Sequence, residues 1–406
     1  MITTLRFLKN GGLKGLMPVM AYLLCTAWLV AGAPQRGWAQ TTRAVVANSG
    51  DNSVSIFNLS DGFGVAITNA SDADCNFDDP RWLAITRNGR FAGVTNGGGN
   101  TVTWIDLSTS PPDCLGTTTV GSAARGIAIR GNDRAVVAIN GGSDPVKVID
   151  ITGLPTVPDA TDILCTHDLG SGANPQGVAV TPHGLFALVA ETGNDRVRYV
   201  DLATCTLLAG STPVGDFPFG VAVTPGSNTA LVTNRSDDTL SIIDISGLPA
   251  VPAATDDTID VSDATQGVAI TSDGGKAVIA EAGTSDSATI LRLSDLLSVG
   301  VPLGSNPFGV AISITPDSFK AAITNEGDDT VSILNLGTHT VDMTVIVGNA
   351  PRGIAITPVQ PPIAKFIASP RKAVKPPLTV NFINRSKDVD GRVVGFDWNL
   401  GAFAFC

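Results

Sequence analysis

Histidine is scarce in this sequence, which has three among its 406 residues: His167, His183 and His339. They lie in three separate segments and are not expected to converge, so a histidine-based metal site or a Ser-His-Asp relay lacks its central residue. The sequence also lacks a glycine-rich phosphate loop, a P-loop and the haem-attachment motif Cys-x-x-Cys-His. These absences leave catalysis with little support from sequence motifs.

Positive charge is also in short supply. Lysine and arginine number 26 against 37 aspartates and glutamates, and the formal net charge is −11. Basic residues are concentrated toward the two ends of the chain, so the central region is more acidic than the whole. A surface of this sign repels phosphate backbones, and we therefore expect neither nucleic acid nor anionic lipid as a partner.

Long uncharged runs are absent after the N-terminal segment, so no later part of the chain is expected to insert into a membrane. In that segment, three basic residues precede an uncharged run over residues 17–33, and Gly37 and Ala39 supply the small residues that signal peptidase needs. The pattern predicts a signal peptide at residues 1–39 and hence a secreted, periplasmic or cell-surface protein. The alternative is an uncleaved anchor, although the run is slightly shorter than the ~20 residues of a membrane span.

The most regular feature of the sequence is a segment of the form Gly-Val/Ile-Ala-Val/Ile, which recurs at intervals of roughly 45 residues. Each copy is followed by a polar turn, a second apolar stretch and a third stretch that alternates in polarity, as in residues 239–244. A repeat of about 40–45 residues with this composition is typical of the blades of a β-propeller. The copies begin at Gly126, Gly177, Gly220, Gly267, Gly309 and Gly353, with a divergent copy at Trp82.

The two ends of the repeat region complement each other. The region opens at a second strand, residues 43–48, whose own first strand is missing, and the last first strand begins at Gly353. Pairing these two segments would complete one blade and close the ring, which removes the open sheet edges. We therefore predict an all-β fold at residues 40–361, a seven-bladed β-propeller closed by its N- and C-terminal strands.

Three second strands carry the same tripeptide, Val-Thr-Asn or Ile-Thr-Asn, followed by a Gly/Asp turn and an alternating strand; they are residues 94–96, 232–234 and 323–325. In these residues the chain resembles the YVTN-type β-propeller repeat family, and the resemblance covers roughly residues 43–358. It implies a secreted or surface-layer protein, and it concerns fold and location more than chemistry. Some related propellers are lactonases or subunits of quinoprotein dehydrogenases, so an enzymatic role stays open.

The C-terminal region, residues 362–406, differs from the repeats. Segments 361–366, 377–382, 386–391 and 396–398 together resemble the first half of a PKD domain, an immunoglobulin-like β-sandwich common on extracellular proteins. The second half of that pattern is not found, because the sequence continues as Leu-Gly-Ala-Phe-Ala-Phe-Cys. We expect a partial PKD-like domain that is either poorly ordered or dependent on a partner, since half a sandwich does not bury its own sheet face.

Antiparallel geometry predicts which residues meet at one end of the propeller channel. The start of each first strand and the end of each second strand lie at the same end of a blade. We expect these residues to bind a ligand through arginines and aromatic rings, and the two glutamates among them could act as acid and base. The candidates are Arg81, Trp82, Arg125, Gln176, Glu191, Phe219, Gln266, Glu281, Phe308 and Arg352. Packing between blades is the alternative interpretation of the aromatic residues.

Acidic residues are frequent in the turns, most densely at Asp72, Asp74, Asp78 and Asp79. Calcium takes about six to eight oxygen ligands, so this segment is a candidate Ca²⁺ site. It does not fit the EF-hand loop, because Phe77 stands where the glycine of that loop belongs. The alternative is ordinary exposed aspartate in turns, and no other cofactor is expected.

Cysteine is sparse, with six residues in the chain. Cys75 and Cys114, and likewise Cys165 and Cys205, are separated by about the length of one blade. An exported protein permits disulfides, which form when the Cα atoms lie within about 7 Å. The sequence leaves open whether either pair meets, and the spacings do not resemble a zinc site.

These features favour a non-catalytic function: a monomeric binding or scaffold module that docks a protein segment or a glycan at the mouth of the channel. The alternative is a lactonase-like hydrolase or a dehydrogenase-associated propeller that uses the central channel. Convergent buried carboxylates or arginines in the channel would favour the enzyme, whereas a shallow, blocked channel would favour the scaffold.

Overall fold

Strand and turn make up almost all of the described chain. The computed structural model describes residues 2–6, 42–68, 72, 74–142, 145–255, 257–261, 264–284, 286–315, 318–358, 366–369 and 379–384. They belong to two units: Thr42–Val359, which we call the ring, and a smaller unit from Met1–Thr41 and Gln360–Cys406. The helical content of the described residues is one short 3₁₀ helix, Ala160–Asp162.

The described part of the ring consists of seven antiparallel sheets, which are the blades expected from the repeat. From the innermost strand outward, blade 1 contains Pro351–Ile356, Arg43–Asn48, Ser53–Asn58 and Gly64–Thr68; blade 2 contains Pro80–Ile85, Phe91–Asn96, Thr101–Asp106 and Asp113–Thr119. Blade 3 contains Ala124–Arg130, Arg134–Ile139, Pro145–Asp150 and Ile163–Asp168; blade 4 contains Pro175–Val180, Phe186–Glu191, Arg196–Asp201 and two short outer pieces, Thr206–Leu207 and Thr212–Pro213. Blade 5 contains Pro218–Val223, Thr229–Asn234, Thr239–Asp244 and Asp257–Asp260; blade 6 contains Thr265–Ile270, Lys276–Glu281, Ser287–Arg292 and Ser298–Pro302; blade 7 contains Pro307–Thr315, Ser318–Asn325, Thr330–Asn335 and Thr340–Ile346.

Blade 1 closes the ring. Its inner strand Pro351–Ile356 pairs antiparallel with Arg43–Asn48, and Val45 stands opposite Ala355. Inner strands of neighbouring blades contact each other all the way round, including Pro351–Ile356 with Pro80–Ile85. The prediction of an all-β, seven-bladed propeller completed by the two terminal strands of the repeat region is therefore confirmed.

The hydrophobic core of the described ring is divided into seven clusters, one at each interface between neighbouring blades. The cluster at the closing interface combines Ala322, Val331 and Ile333 of blade 7 with Val46 and Phe57 of blade 1, all of them buried. Each blade therefore depends on two neighbours for its burial. Loss of one interface would expose apolar surface on two blades at once.

The repeated inner-strand glycine permits a close approach between blades. A Cβ atom added at Gly267 would lie 2.6 Å from the carbonyl oxygen of Phe308 in the next blade, and one added at Gly220 would lie 2.7 Å from that of Gln266. Real Cβ atoms do not approach backbone so closely. At these two positions glycine is therefore required by interblade spacing, since a side chain would push the two inner strands apart.

The threonine of the Val-Thr-Asn segment joins two inner strands through one hydroxyl. Thr95 Oγ1 accepts the backbone N–H of Trp82 in its own blade at 3.0 Å and donates to the Arg125 carbonyl of the next blade at 2.6 Å. Equivalent pairs of bonds, at 2.7 to 2.8 Å, are made by Thr233 to Gly220 and Gln266 and by Thr324 to Gly309 and Arg352. The motif residue therefore positions the backbone of residues that were predicted to ring the mouth.

The asparagine of the same segment closes the second hairpin of its own blade. Asn48 Nδ2 donates to the hydroxyls of Ser53 and Ser55 at 2.9 Å each, five and seven positions later. The same spacing of contacts recurs at Asn96, Asn234 and Asn325. This polar closure accounts for the asparagine in four blades.

Among the described residues, acidic and amide turn residues fasten neighbouring blades at six of the seven interfaces. Asp286 Oδ1 accepts the backbone N–H of Asn306 at 2.8 Å, and Asp329 Oδ1 accepts that of Ala350 at 2.8 Å. The residues on both sides of these bonds have positive φ angles. Equivalent contacts are Asn52 with Asp79, Asn100 with Ala123, Asp195 with Phe217 and Asp238 with Ala264. Interblade bonding therefore explains much of the acidity of these turns without a metal ion.

Both candidate disulfides are formed. The Cα atoms of Cys75 and Cys114 are 5.0 Å apart, and those of Cys165 and Cys205 are 6.2 Å apart. The first bond is buried and fastens the loop before blade 2 to the outer strand of that blade. The second is partly buried and joins the outer parts of blades 3 and 4.

In the smaller unit, strands Ile2–Arg6, Thr379–Asn384 and Phe366–Ser369 form a three-stranded antiparallel sheet in that spatial order. Most residues on which the signal peptide and the PKD-like domain were predicted lie outside the described residues, so both stay predictions. Within the described part of the chain, no helix has the length and apolar character needed to cross a membrane.

Candidate ligand-binding mouth

A cavity of about 180 Å³ opens where the inner strands of the blades begin. We call it the mouth and define it by the nine residues that line it: Arg81, Trp82, Arg125, Gln176, Phe217, Phe219, Arg235, Phe308 and Arg352. Seven of the ten residues predicted from antiparallel geometry are among them.

Three aromatic rings meet in the mouth. The ring centroids of Trp82 lie 5.9 Å from Phe219 and 5.7 Å from Phe308, and the two phenylalanines are 5.5 Å apart in an edge-to-face arrangement. Such contacts hold the rings in defined positions. Phe219 and Phe308 are each only 6 % exposed, yet both line the mouth. The two phenylalanines therefore pack between blades and face the cavity at the same time.

Trp82 departs from the repeat that surrounds it. It occupies the position that holds glycine in the other inner strands, such as Gly353 after Arg352. The Thr95 hydroxyl still binds its backbone N–H, so the strand keeps its place while the indole reaches across to blades 5 and 7. Blade 2 thus places a large ring near the channel axis where the other blades have a hydrogen atom.

Four guanidinium groups line the same cavity, and two of them have carboxylate partners. Arg81 pairs with Asp79 at 2.5 Å, and Arg352 pairs with Glu326 at 2.6 Å. The guanidinium of Arg352 also lies 5.2 Å from the centroid of the Phe308 ring, a cation–π distance. The local sum of formal charges is positive, in contrast to the acidic chain as a whole.

Arg235 is held by a neutral partner. The Gln266 amide, oriented with its oxygen toward Arg235, accepts from Nε at 3.0 Å and from Nη2 at 3.2 Å. The Arg235 guanidinium also lies 5.9 Å from the Phe219 centroid. Gln266 is fully buried and does not line the mouth, so its contribution is to orient Arg235.

Arg125 is the least compensated of the four arginines. It has no ion-pair partner among the described residues, and its buried Nε has no hydrogen-bond acceptor. Burial lowers the pKa of this guanidinium, and the positive charges of Arg81 and Arg352 lower it further. The Nε of Arg352 is likewise buried without an acceptor, and burial lowers the Arg352 pKa too.

The two predicted glutamates are not at the mouth. Glu191 and Glu281 are fully buried at the ends of their second strands, in the position that asparagine has in other blades. Glu191 forms ion pairs with Arg196 and Arg198, five and seven positions later, and Glu281 accepts the hydroxyl of Ser287 at 2.7 Å. They replace the asparagine contacts of the other hairpins, which is why they turn into the blade and away from the cavity.

Phe217 and Arg235 were missed by sequence reasoning. Phe217 has φ of 59° in the loop before blade 5, and its backbone N–H is bound by Asp195 of blade 4. Arg235 follows the Val-Thr-Asn segment of blade 5 directly. Phe217 precedes the candidate Phe219 by two positions, so extending each candidate by two residues would have included it, whereas Arg235 follows Asn234, the end of a second strand that was not among the candidates.

The predicted calcium segment does not gather its carboxylates. Asp79 pairs with Arg81, and the Asp72 carboxylate accepts the backbone N–H groups of Asp74 and Cys114 at 3.0 and 2.9 Å. Among the described residues, Asp72, Asp74, Asp78 and Asp79 do not supply three ligand atoms within 4.8 Å of one another. Asp72 does lie close to two cysteines, Cys75 and Cys114, in a spacing that could hold a metal ion. The sulfurs of these two cysteines, however, are joined to each other in a disulfide.

Fold and cavity together define a seven-bladed β-propeller with a cationic, aromatic mouth. Sequence comparison matches the chain to no protein-family model and to no curated protein. Similar solved structures include a protein of unknown function from Desulfotomaculum acetoxidans, 17 % identical with a TM-score of 0.65, covering 78 % of this chain and 99 % of that one.

Two further solved structures share the fold. The periplasmic gluconolactonase PpgL of Pseudomonas aeruginosa is 13 % identical with a TM-score of 0.61, and the match covers 79 % of this chain and 99 % of that one. Hydrazine synthase of Kuenenia stuttgartiensis is 18 % identical with a TM-score of 0.59, covering 76 % and 96 %. At these identities the similarity concerns the fold, and the fold supports many functions.

Proposed function

We propose that this chain is an exported, non-catalytic binding module that captures its ligand at the mouth. The observation that carries the proposal is the convergence of four guanidinium groups and three mutually packed aromatic rings on one open cavity. Charged donors around an apolar floor are the usual ingredients of a binding site, in which polar groups orient a ligand that apolar surface holds.

The positions of the carboxylates support binding over hydrolysis. Glu191 and Glu281, the two candidates for acid and base, are buried in their blades with their own partners. Asp79 and Glu326, the acids nearest to the mouth arginines, are engaged in ion pairs with Arg81 and Arg352. A general base must reach the proton it removes, and none of these four lines the cavity.

Export is proposed from three lines of support. The N-terminal residues have the pattern of a signal peptide, and two disulfides lie in the ring, which fits an oxidising compartment. One structure of the same fold is a periplasmic protein by its name. The proposed setting is the periplasm or the cell surface, where a monomer would meet a protein segment or a glycan.

The test is a thermal-shift screen of the full chain against glycans, peptides, lactones and quinones. Ligands that bind the folded state alone raise its melting temperature. The screen is repeated on a variant with Arg125→Met and Arg352→Met and on a control, Arg292→Met, whose guanidinium is on the exposed face of blade 6. A ligand that stabilises the wild type and the control, and not the double variant, would support the proposal.

Two outcomes would contradict it. Stabilisation that survives in the double variant would place the ligand elsewhere on the ring. Consumption of a lactone during incubation, measured as acid release, would favour the lactonase-like alternative and would show that a catalytic group outside the four carboxylates is at work.

A further inference from the structure

The mouth carries more positive charge than the carboxylates beside it neutralise. Four guanidiniums line the cavity, and the ion pairs in reach are those of Arg81 with Asp79 and Arg352 with Glu326. Arg125 has no such partner, and the buried Nε atoms of Arg125 and Arg352 have no acceptor. A buried donor without an acceptor is costly, and a charged one more so. The excess of positive charge at the cavity therefore favours a ligand that carries negative charge.

Three of the four arginines lie on one arc of the ring, whereas the fourth, Arg235, follows the second strand of blade 5 and lies beside Phe219. Arg352, Arg81 and Arg125 are the second residues of the inner strands of the consecutive blades 1, 2 and 3, and Phe219 and Phe308 have the same position in blades 5 and 7. Trp82 contacts both phenylalanines, so the aromatic surface extends across the axis. A ligand that contacts Arg125 and Arg352 as well as these three rings needs both a negative group and a flat apolar face.

The size of the cavity limits what can enter. Its volume of about 180 Å³ is below the ~300–1,000 Å³ of a typical pocket for a drug-sized ligand. The turns at the same end of the blades carry Asp195, Asp238, Asp286 and Asp329. Their negative charge repels a long polyanion within roughly one Debye length, about 8 Å at physiological salt. A small ligand with a single negative group avoids that repulsion.

We propose that the mouth is a receptor for a small carboxylic acid with a ring body, whose carboxylate lies against Arg125 and Arg352 and whose ring lies on Trp82, Phe219 and Phe308. This inference rests on the proposed binding function and adds the chemical class of the ligand. A planar carboxylate accepts two N–H bonds from one guanidinium, which matches the fork geometry of arginine better than a neutral amide does.

The experiment measures ligand affinity on the full chain with matched probes. Benzoate and phenylacetate are the test ligands, benzamide is the neutral analogue, and acetate, inorganic phosphate and glucuronate vary the body or the anion. Titration calorimetry should show saturable binding of the two ring acids and none of benzamide. Arg125→Met should weaken ring-acid binding about tenfold to a hundredfold, the range expected for loss of a charge-assisted hydrogen bond. The control Arg292→Met should retain it.

The proposal is overturned if benzamide binds as well as benzoate, if phosphate or glucuronate binds and the ring acids do not, or if the ring acids bind Arg125→Met and the wild type alike. The wider proposal is judged by a different result. A glycan or peptide that depends on Arg125 and Arg352, in the absence of ring-acid binding, would leave the binding function standing and refute the ligand class.

Discussion

Replacing Arg125 with methionine should make the unliganded ring more stable, although it removes the residue that we expect to bind a ligand. The reason is that the native protein holds a guanidinium with a buried, unaccepted Nε beside two like charges, and burial and these charges both lower its pKa. An apolar side chain of similar length removes the unsatisfied donor and the repulsion and keeps the packing.

The size of the gain follows from the cost of an unsatisfied buried donor, about 1–3 kcal/mol. Arg125 is only partly buried as a whole, so we take the lower half of that range, about 1–2 kcal/mol. Unfolding entropy is about 2.1 cal/mol/K per residue near 60 °C, which for the roughly 320 residues of the ring gives about 0.7 kcal/mol/K. The melting temperature should therefore rise by about 1.5–3 °C.

Differential scanning calorimetry of the wild type, Arg125→Met and Arg292→Met would measure this shift. Arg292 forms an ion pair with Asp295 in which both side chains are largely exposed, at 55 % and 41 %. Exposed pairs contribute little, so the control should melt within about 1 °C of the wild type or slightly below it. A melting temperature of Arg125→Met below that of the control would refute the reasoning that Arg125 is destabilising in the unliganded protein.

Three other predictions concern the ring itself. Thr233→Val should lower the free energy of unfolding by about 1–3 kcal/mol, because it leaves the Gln266 carbonyl without its donor, whereas Thr233→Ser should keep most of that stability; denaturant titration of both variants compares them. Gly267→Ala should destabilise the ring by about 1–3 kcal/mol through its contact with the next blade, while Gly300→Ala, which meets nothing within 4 Å, should change stability by less than about 0.5 kcal/mol. Burial raises the pKa of Tyr199 to about 12, above the unfolded value of about 10. The stability that the buried, neutral phenol contributes is therefore fully present below about pH 10 and is lost as pH rises through about 12. Thermal melts against pH should show that Tyr199→Phe loses less stability than the wild type at alkaline pH.

These three predictions fail in different ways. Equal stability of Thr233→Val and Thr233→Ser would mean that the hydroxyl bridge between inner strands adds nothing. A harmless Gly267→Ala would show that the inner strands can separate without cost, against the argument from interblade spacing. An identical alkaline profile for Tyr199→Phe and the wild type would remove Tyr199 as a source of that pH dependence.

The sequence predicts this fold well because its information is repeated. One copy of Gly-Val-Ala-Val would be an ambiguous strand, but copies in phase fix the number of blades and the strand order within each. The missing first strand before Arg43 and the additional one at Gly353 then determine how the ring closes. Each of these inferences depends on periodicity and chain direction, which a single sequence displays directly.

The candidate site is predictable in position and not in side-chain direction. Antiparallel topology places strand starts such as Arg125 at one end of the ring, and the cavity is found there. Glu191 shares that end but faces its own hairpin, since Arg196 and Arg198 stand where other blades have serine or threonine. The two arginines, five and seven positions after Glu191, were visible in the sequence. That they bind Glu191 could be recognised only once the asparagine contacts at the same spacing in other blades were known.

The mouth is built where the repeat is broken. Thr95, Thr233 and Thr324 bind inner-strand backbones in the same way, so the scaffold beneath the mouth follows the repeat. Variation falls on the residue before the glycine, which is arginine in three consecutive blades and phenylalanine in two others, and on Trp82 in place of the glycine itself. A uniform ring would present equal surfaces in all directions, whereas this one concentrates three arginines in blades 1 to 3 and two inner-strand phenylalanines in blades 5 and 7. Local departures from a consistent pattern concentrate at functional sites, and this asymmetry is the physical basis for a ligand with two unlike ends.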